Sequence, residues 1–216
     1  MVKIINIKDI DLSKLEYHDP VNGKFGGKSL RVTYGGEKVC LEVSRCDLPF
    51  GINEYESQYG KKYSVDLSLN AGNKDFETFL QEFDNLNVEK GLERSREWFS
   101  KDLDHDIVEQ LYKKQLRRSE KYNPLMRAKI INNAIGPLCT VFDNNRSVID
   151  LHRVQKRSEV SAVIELTGIY FVAKEFGVTW KLVQLMVHPK LDMSGYAFVD
   201  DSDDEIEDAE PVWKNT

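Results

Sequence analysis

A dense run of basic residues is the part of this sequence whose side chains are best suited to bind a ligand. Between Lys113 and Lys129 the chain holds seven lysines and arginines and one acid, Glu120, which gives a net charge of +6 in 17 residues. Tyr112 and Tyr122 are interleaved with these cations. Lysine and arginine displace counterions from phosphates, and aromatic rings stack on unpaired bases. The pattern therefore favours single-stranded nucleic acid over a duplex, whose readers present Arg, Asn and Gln to base edges.

A second basic cluster lies between Arg153 and Arg157, before a long β-rich run. The candidate residues for contacting nucleic acid are Lys113, Lys114, Arg117, Arg118, Lys121, Tyr112, Tyr122, Arg153, Lys156 and Arg157. An alternative interpretation stays open, because cations at i, i+1, i+4 and i+5 also describe the solvated face of a helix, whose C-terminal turn favours positive charge. We interpret Tyr63, Tyr170 and Trp180 as core residues.

Two other clusters could carry chemistry, but neither has the required spacing. A phosphate-binding loop around residues 26–29 (GGKS) would need glycine where Asn22 stands, so we interpret the segment as a glycine turn. The acids of Asp102–Asp106 could hold a metal, yet Ile107 occupies the position where a calcium loop of the EF-hand type has glycine. Acids at a helix N-terminus explain this cluster without a metal. We therefore expect no catalytic residues, no metal and no cofactor.

The net charge of −6 over 216 residues conceals an uneven distribution. Residues 200–210 hold eight acids and no base, and Lys214 is the one base after residue 199. Residues 1–199 therefore hold 28 acids and 29 bases, a net charge of +1. A mobile acidic tail beside a cationic groove competes with nucleic acid at an effective concentration on the order of millimolar. It can also contact partner proteins, for which the candidate residues are Asp203, Asp204, Glu205 and Trp213.

The length of the chain suits one well-buried domain with appendages. We expect no membrane association, because no run of 18 apolar residues is present. Cys40, Cys46 and Cys139 are an odd number without CxxC spacing, and this indicates reduced thiols in a cytosolic or nuclear protein.

Alternating apolar and polar residues predict the strands of the first third of the chain. Leu30–Tyr34 and residues 38–43 flank the turn pair Gly35-Gly36, which predicts an antiparallel hairpin. In the next strand we expect Tyr63, Val65, Leu67 and Leu69 to face inward and Lys62, Ser64, Asp66 and Ser68 to face outward.

Helical spacing follows. Phe76, Phe79, Leu80 and Phe83 predict a helix that continues, with a break near Gly91, to Trp98-Phe99. We expect a second helix from Asp106, capped with Glu109, that buries Ile107, Val108, Leu111, Tyr112 and Leu116. Strands resume as a hairpin over 138–151 and as two long runs, 160–172 and 178–188, joined by a turn at 174–177. The order indicates an α+β fold or a helix-decorated β-barrel rather than a βαβ series.

The order of these elements resembles the replicative single-stranded DNA-binding proteins of short-tailed coliphages and their relatives in nucleocytoplasmic large DNA viruses. The resemblance spans roughly residues 30–213 and is carried by Leu48–Ile52, Lys62–Leu69, Trp98, the basic stretch around Tyr112 and Tyr122, Ala162–Val172, Phe176–Gln184 and the acidic end. In the phage proteins the chain ends on an aromatic residue, whereas here Lys214-Asn215-Thr216 follow Trp213.

The resemblance implies a mainly β fold with a helical insert, in which an OB-type five-stranded antiparallel barrel occupies residues 1–193. The insert is placed at about 75–122, and 194–216 form a disordered acidic tail. The implied function is coating of single-stranded DNA without strong sequence preference in viral or phage-like replication and recombination. The tail would contact polymerase or helicase-primase and would help the free protein to dimerise.

We expect an intracellular, reducing location in a host cytoplasm (a virus factory) or a nucleus. The alternative function is a non-catalytic scaffold whose acidic tail binds a basic partner and whose basic segment is merely solvated.

Overall fold

The computed structural model describes residues 3–23, 27–58, 60–173 and 175–189, and strands dominate in these ranges. The acidic tail and the candidate partner-binding residues Asp203, Asp204, Glu205 and Trp213 lie outside the described residues. The strands that precede the helices are β1 (Ile4–Ile5), β2 (Leu15–Tyr17), β3 (Val21–Asn22), β4 (Lys28–Leu30), β5 (Val32–Tyr34), β6 (Glu37–Lys38), β7 (Cys40–Leu48), β8 (Ile52–Ser57) and β9 (Gly60–Ser68).

A helical insert follows β9, as the spacing of the aromatic residues predicts. It comprises α1 (Lys74–Glu93), α2 (Ser95–Phe99) and α3 (His105–Leu111). The side chains of Phe76, Phe79, Leu80 and Phe83 are all buried on one side of α1. Within the described ranges, no helix is both long enough and apolar enough to cross a membrane.

The third helix differs from its prediction at both ends. Its N-cap is Asp104, whose carboxylate accepts a hydrogen bond from the backbone N–H of Ile107, so Asp106 lies inside the first turn. The helix ends at Leu111 rather than continuing to Leu116, and Ile107 is exposed. The predicted helical insert over 75–122 is therefore too long, because the chain after Leu111 is extended.

The remaining strands complete the sheet. They are β10 (Tyr112–Lys113), β11 (Leu116–Arg117), β12 (Leu125–Ile130), β13 (Thr140–Phe142), β14 (Val148–Ile149), β15 (Ser158–Val172) and β16 (Glu175–Val187). The predicted hairpin over 138–151 is confirmed as the pair β13–β14, and the two long runs form the antiparallel pair β15–β16.

Five of these strands close a ring around the core. β7 pairs with β9, β9 with β12, β12 with β16, β16 with β15, and β15 with β7. The expectation of a five-stranded antiparallel barrel needs two corrections. The sheet within the described residues has 13 strands, because short strands add to the edges of the ring. The β12–β16 pair is parallel rather than antiparallel.

The first hairpin is shorter than predicted. Gly35 and Gly36 form the turn with positive φ, but the returning strand is only β6, which pairs with β5. The apolar run that follows belongs to β7, which pairs with β15 instead.

Tyr63 and Trp180 are buried core residues, as predicted.

Gly168 allows two strands to approach each other closely. Its φ is +134°, and a Cβ atom at this position would overlap the carbonyl oxygen of Leu30, which pairs in β4 with the neighbouring residue Ile169. Gly136 has a similar φ of +145°, but nothing lies within 4 Å of the place where its Cβ would be.

Gly168→Ala and Gly136→Ala should therefore separate steric overlap from backbone strain. We expect the Gly136 variant to lose about 1–3 kcal/mol of unfolding free energy, the ordinary cost of an unfavourable φ. The Gly168 variant should lose at least ~2 kcal/mol more, or fail to fold, because β4 must move away from β15. Urea unfolding of both variants measures the difference, and equal losses would contradict the close approach.

Candidate nucleic-acid interface

The basic segment is extended chain and not the face of a helix. β10 runs parallel to β16, with Lys113 opposite Gly177, and β11 pairs antiparallel with β12. Tyr112 and Leu116 are buried, while Lys113 and Arg117 are exposed. The alternative of a solvated helix face is therefore wrong for this part of the chain.

An open cleft of about 510 Å³ lies beside these strands. It is bounded by β10, β11, β12 and the turn end of the β15–β16 hairpin. The residues that line it are Lys113, Lys114, Gln115, Arg117, Met126, Arg127, Lys129, Tyr170, Val172, Glu175, Val178, Thr179 and Trp180. Five of these side chains are cationic and one is an acid, so cations predominate among the charged residues that line the cleft.

A buried carboxylate holds two of the cleft arginines. The side chain of Asp66 on β9 is only 3% exposed, and its Oδ1 lies 2.6 Å from Nη2 of Arg117. Arg127 donates to both oxygens of the same carboxylate, at 2.9 and 3.0 Å. Burial by itself raises the pKa of Asp66, but the hydrogen bond from Arg127 and the charge of Arg117 outweigh it, so the pKa is lowered. The expectation that Asp66 faces outward to solvent is wrong, because β11 and β12 cover it.

The same arrangement recurs with Arg118. Its guanidinium lies 2.7 Å from the carboxylate of Glu77 on α1, which is 10% exposed. Each of the three arginines of the basic stretch is thus paired with an acid. Arg117 and Arg127 pair with Asp66 of β9, and Arg118 pairs with Glu77 of α1. They contribute less free charge to the cleft than their number indicates.

Tyr112 is part of the core. Its hydroxyl donates to Asp84 at 2.7 Å, and burial together with the neighbouring charge of Asp84 raises its pKa well above the ordinary value. Its ring packs edge-on against Phe176 at 5.1 Å. The candidate stacking role of Tyr112 is therefore incompatible with its position, since a base cannot reach this ring in the folded protein.

Two lysines and a tyrosine form the open part of the cleft. Lys113 and Lys129 have no carboxylate within ion-pair distance among the described residues. Nζ of Lys129 lies over the ring of Tyr170, 5.9 Å from its centre. Partial desolvation lowers the pKa of Lys129, and the charge of Lys62 adds to this effect. Tyr170 is half-buried, and its hydroxyl donates to Glu175 at 3.3 Å.

The remaining candidate residues lie elsewhere. Lys121 and Tyr122 are exposed in the turn between β11 and β12, where 75% of the surface of Tyr122 is accessible. The cluster from Arg153 to Arg157 lies on the loop before β15, and the backbone N–H of Arg157 donates to the carbonyl of Leu48. This second cluster does not line the cleft.

The structure adds Arg127, Lys129 and Tyr170 to the cleft. Arg127 and Lys129 alternate with the buried residues Met126, Ala128 and Ile130. This alternation is visible in the sequence and indicates a strand with one cationic face. No local signal identifies Tyr170, because a bulge near Gly168 changes which residues of β15 face outward.

The fold and the site together define a mainly β domain with a helical insert and an open cationic cleft. Residues 57–200 match a family described as a family of unknown function (DUF5871). The match covers more than half of the chain, and this protein belongs to that family.

One curated relative is an uncharacterized protein of Acanthamoeba polyphaga mimivirus. It is 27% identical over 160 residues, which are 69% of this chain and 26% of the relative. The chain therefore spans about a quarter of the length of the curated relative that it matches.

Two solved structures are similar in overall shape. One is gp2.5 of bacteriophage T7, a single-stranded DNA-binding protein, with a TM-score of 0.49 and 12% identity over 82% of this chain and 100% of that one. The other is the single-stranded DNA-binding protein of bacteriophage Enc34 in complex with single-stranded DNA, with a TM-score of 0.46 and 13% identity over 80% of this chain and 95% of that one. At these TM-scores the likeness assigns neither a site nor a function to this chain.

Asp66→Asn tests the buried carboxylate of the cleft. Because the folded state lowers the pKa of Asp66, its ionised form stabilises the protein above about pH 4, and this contribution is lost as the pH falls below that value. We expect the variant to lose ~1–3 kcal/mol near neutral pH, the usual cost of a removed hydrogen-bond partner. Urea unfolding at pH 6 and pH 3 should show the difference from wild type shrinking at the lower pH.

Asp75→Asn is the matched control. Its carboxylate is exposed and lies 3.5 Å from Lys8, an ion pair of the kind that contributes little. If the free energy of unfolding of Asp66→Asn is below that of wild type by the same amount at both pH values, the ion pairs of Asp66 do not stabilise the fold.

Proposed function

We propose that this protein binds single-stranded DNA in the cationic cleft and coats it without strong sequence preference. The proposal is supported by three side chains that line the cleft together. No described carboxylate pairs with Lys113 or Lys129, and the ring of Tyr170 is partly exposed. Two lysines close to an aromatic ring provide contacts to phosphates, and the ring provides a surface on which one base can stack.

The state of the arginines favours binding without sequence preference. Arginine reads guanine by presenting two N–H groups to one base edge. In this cleft the guanidinium groups of Arg117 and Arg127 already donate to Asp66. The cations that stay free are lysines, which act on phosphates as point charges and carry no base-specific geometry.

The connection order of the ring supports an OB-type barrel. Numbered along the chain, the ring strands β7, β9, β12, β15 and β16 are joined in the order first, second, third, fifth, fourth and back to the first. This is the order of a five-stranded Greek-key barrel of the OB type, which binds oligonucleotides over its second and third strands. Asp66 lies on the second ring strand, and Arg127 and Lys129 lie on the third, so the cleft occupies that face.

We extend the proposal to a role in replication and recombination of viral or phage-like DNA, inside the cell. In this proposal the acidic residues 200–210 compete with DNA for the cleft, and they contact polymerase or helicase-primase when DNA displaces them. The support is charge complementarity between eight acids and the lysines of the cleft. A tethered segment competes at an effective concentration on the order of millimolar.

Charge reversal at the two free lysines tests the cleft. We expect Lys113→Glu/Lys129→Glu to weaken binding of fluorescein-labelled oligo-dT by at least about a hundredfold at low salt, since two attractive interactions become repulsive. The dependence of log K on log salt should become shallower by about 0.7 for each phosphate that the variant no longer neutralises. Fluorescence anisotropy at several salt concentrations measures both quantities.

Lys8→Glu/Lys14→Glu is the matched control, because it makes the same change in net charge at lysines whose partners are exposed acids outside the cleft. Equal weakening by both pairs would show that only the total charge matters. A wild-type protein that binds single-stranded and double-stranded DNA equally weakly would instead favour the scaffold function.

Substitution of Tyr170 tests stacking separately from charge. Tyr170→Leu should weaken binding of oligo-dT and of oligo-dA by about 1–3 kcal/mol, the usual effect of removing one stacking ring. Tyr170→Phe keeps the ring and removes only the hydroxyl that donates to Glu175, so its affinity should stay close to wild type. If the two variants bind equally well in the same anisotropy measurement, the ring of Tyr170 is not a stacking surface.

A further inference from the structure

A second groove lies on the other side of the β15–β16 turn from the cationic cleft. Its volume is about 430 Å³, which exceeds the volume of a nucleobase. The residues that matter for its chemistry are Trp98, Phe99, Lys101, Phe171, Val172 and Glu175.

The groove is continuous with the cleft. Val172 and Glu175 line both depressions, one from each side of the turn. Val172 is 53% exposed, so the ridge between the two is open to solvent. A strand that lies in the cleft and stacks on Tyr170 therefore reaches the second groove by crossing one residue of β15.

Packed aromatic rings form the wall of the groove. Phe99 is partly exposed and packs edge-on against Phe176 at 5.1 Å and against Phe171 at 5.7 Å. Trp98 packs edge-on against Phe171 at 5.5 Å. These mutual contacts hold the rings in place, so the wall of the groove does not depend on a ligand.

One of the residues that line the groove, Trp98, carries a buried polar group that lacks a partner. The indole Nε1–H of Trp98, a residue that is 2% exposed, has no hydrogen-bond acceptor within the part of the chain that the structure describes. The backbone of Trp98 is engaged, because its carbonyl accepts from Lys28 at 3.1 Å, but the indole donor is not. Buried polar groups are almost always hydrogen-bonded, and an exception calls for a specific explanation.

We propose that the groove accepts a base of the same DNA strand that occupies the cleft. The base stacks against Phe99, and Lys101 contacts the adjoining phosphate. A small shift of the rings that cover the indole of Trp98 lets one carbonyl or ring-nitrogen acceptor of the base take its hydrogen bond. This proposal rests on the proposed function, since the strand must first be bound in the cleft. An aromatic wall, a donor without an acceptor and a cation at the rim match the three parts of a nucleotide.

The experiment compares oligo-dT of increasing length with wild type, Phe99→Leu and Lys101→Glu. Once the oligonucleotide is long enough to reach beyond the cleft, wild-type affinity should rise in one further step. Both variants should reduce that step about tenfold, since each removes one stacking or one phosphate interaction, and should bind short oligonucleotides as wild type does. Phe142→Leu, an aromatic-to-aliphatic change on the partly buried strand β13, and Lys14→Glu are the matched controls.

An abasic scan locates the inserted base. In a long oligonucleotide, single abasic positions are introduced one at a time and tested against wild type and Phe99→Leu. We expect one position at which removal of the base weakens binding to wild type about tenfold and has little effect on binding to Phe99→Leu. Such non-additivity is the sign of direct contact between the base and the ring.

The failures are distinguishable. Suppose that Phe99→Leu changes the affinity for long and for short oligonucleotides equally, while Lys113→Glu/Lys129→Glu still weakens binding. The second groove is then not a base site, and the proposed function stands. If wild type binds none of the oligonucleotides, both proposals fail. If Phe99→Leu leaves DNA affinity unchanged but alters self-association in sedimentation measurements, the groove is an interface between copies of the chain and the base site is overturned.

Discussion

The cationic cleft depends on one buried carboxylate, that of Asp84 on α1. It accepts hydrogen bonds from the Tyr112 hydroxyl at 2.7 Å and from the Gln115 side chain at 2.7 Å, and Gln115 in turn accepts from the indole of Trp180 at 2.6 Å. Burial raises the pKa of Asp84 in spite of these donors, so its ionised form is costly to keep in the folded state. The hydrogen bonds from these donors offset part of that cost. The carboxylate therefore joins the helical insert, the strands β10 and β11, and the barrel strand β16 into one unit.

The two kinds of cation in the basic segment have different surroundings, and this follows from the same construction. Buried acids at Asp66 and Glu77 pair with Arg117, Arg127 and Arg118, whose planar guanidinium groups suit a carboxylate in a partly buried setting. Lys113 and Lys129 remain available at the surface. The positive charge of +6 in the sequence is therefore an upper limit on the charge that a ligand meets, because two carboxylates of the fold offset part of the charge of the three arginines.

The sequence predicts those parts of the structure that local periodicity controls. The phenylalanine stripe of α1, the turn at Gly35-Gly36 and the long pair β15–β16 all follow from spacing within a few residues. The segment after Leu111 could not be assigned in this way, since Tyr112 and Leu116 are four residues apart and fit a helix as well as two short strands. The position of Asp66 depends on β12, about sixty residues further along the chain, and no local pattern identifies such a partner. The candidate site was accordingly predicted as a stretch of charge, without the distinction between paired and free cations.

The cleft also needs a residue without a side chain between two of its lining residues. Lys113 of β10 and Tyr170 of β15 both approach Gly177 of β16, and a Cβ atom there would lie 3.1 Å from the Cβ of Lys113 and 3.2 Å from the ring of Tyr170. A larger residue would push apart the lysine and the tyrosine that the strand is proposed to contact. The parallel pairing of β10 with β16 brings these side chains together only because the backbone of Gly177 leaves the space open. A cationic strand, an aromatic ring and a glycine from three separate parts of the chain thus form one surface, and the hydrogen bonds of Asp84 keep the first of them in position.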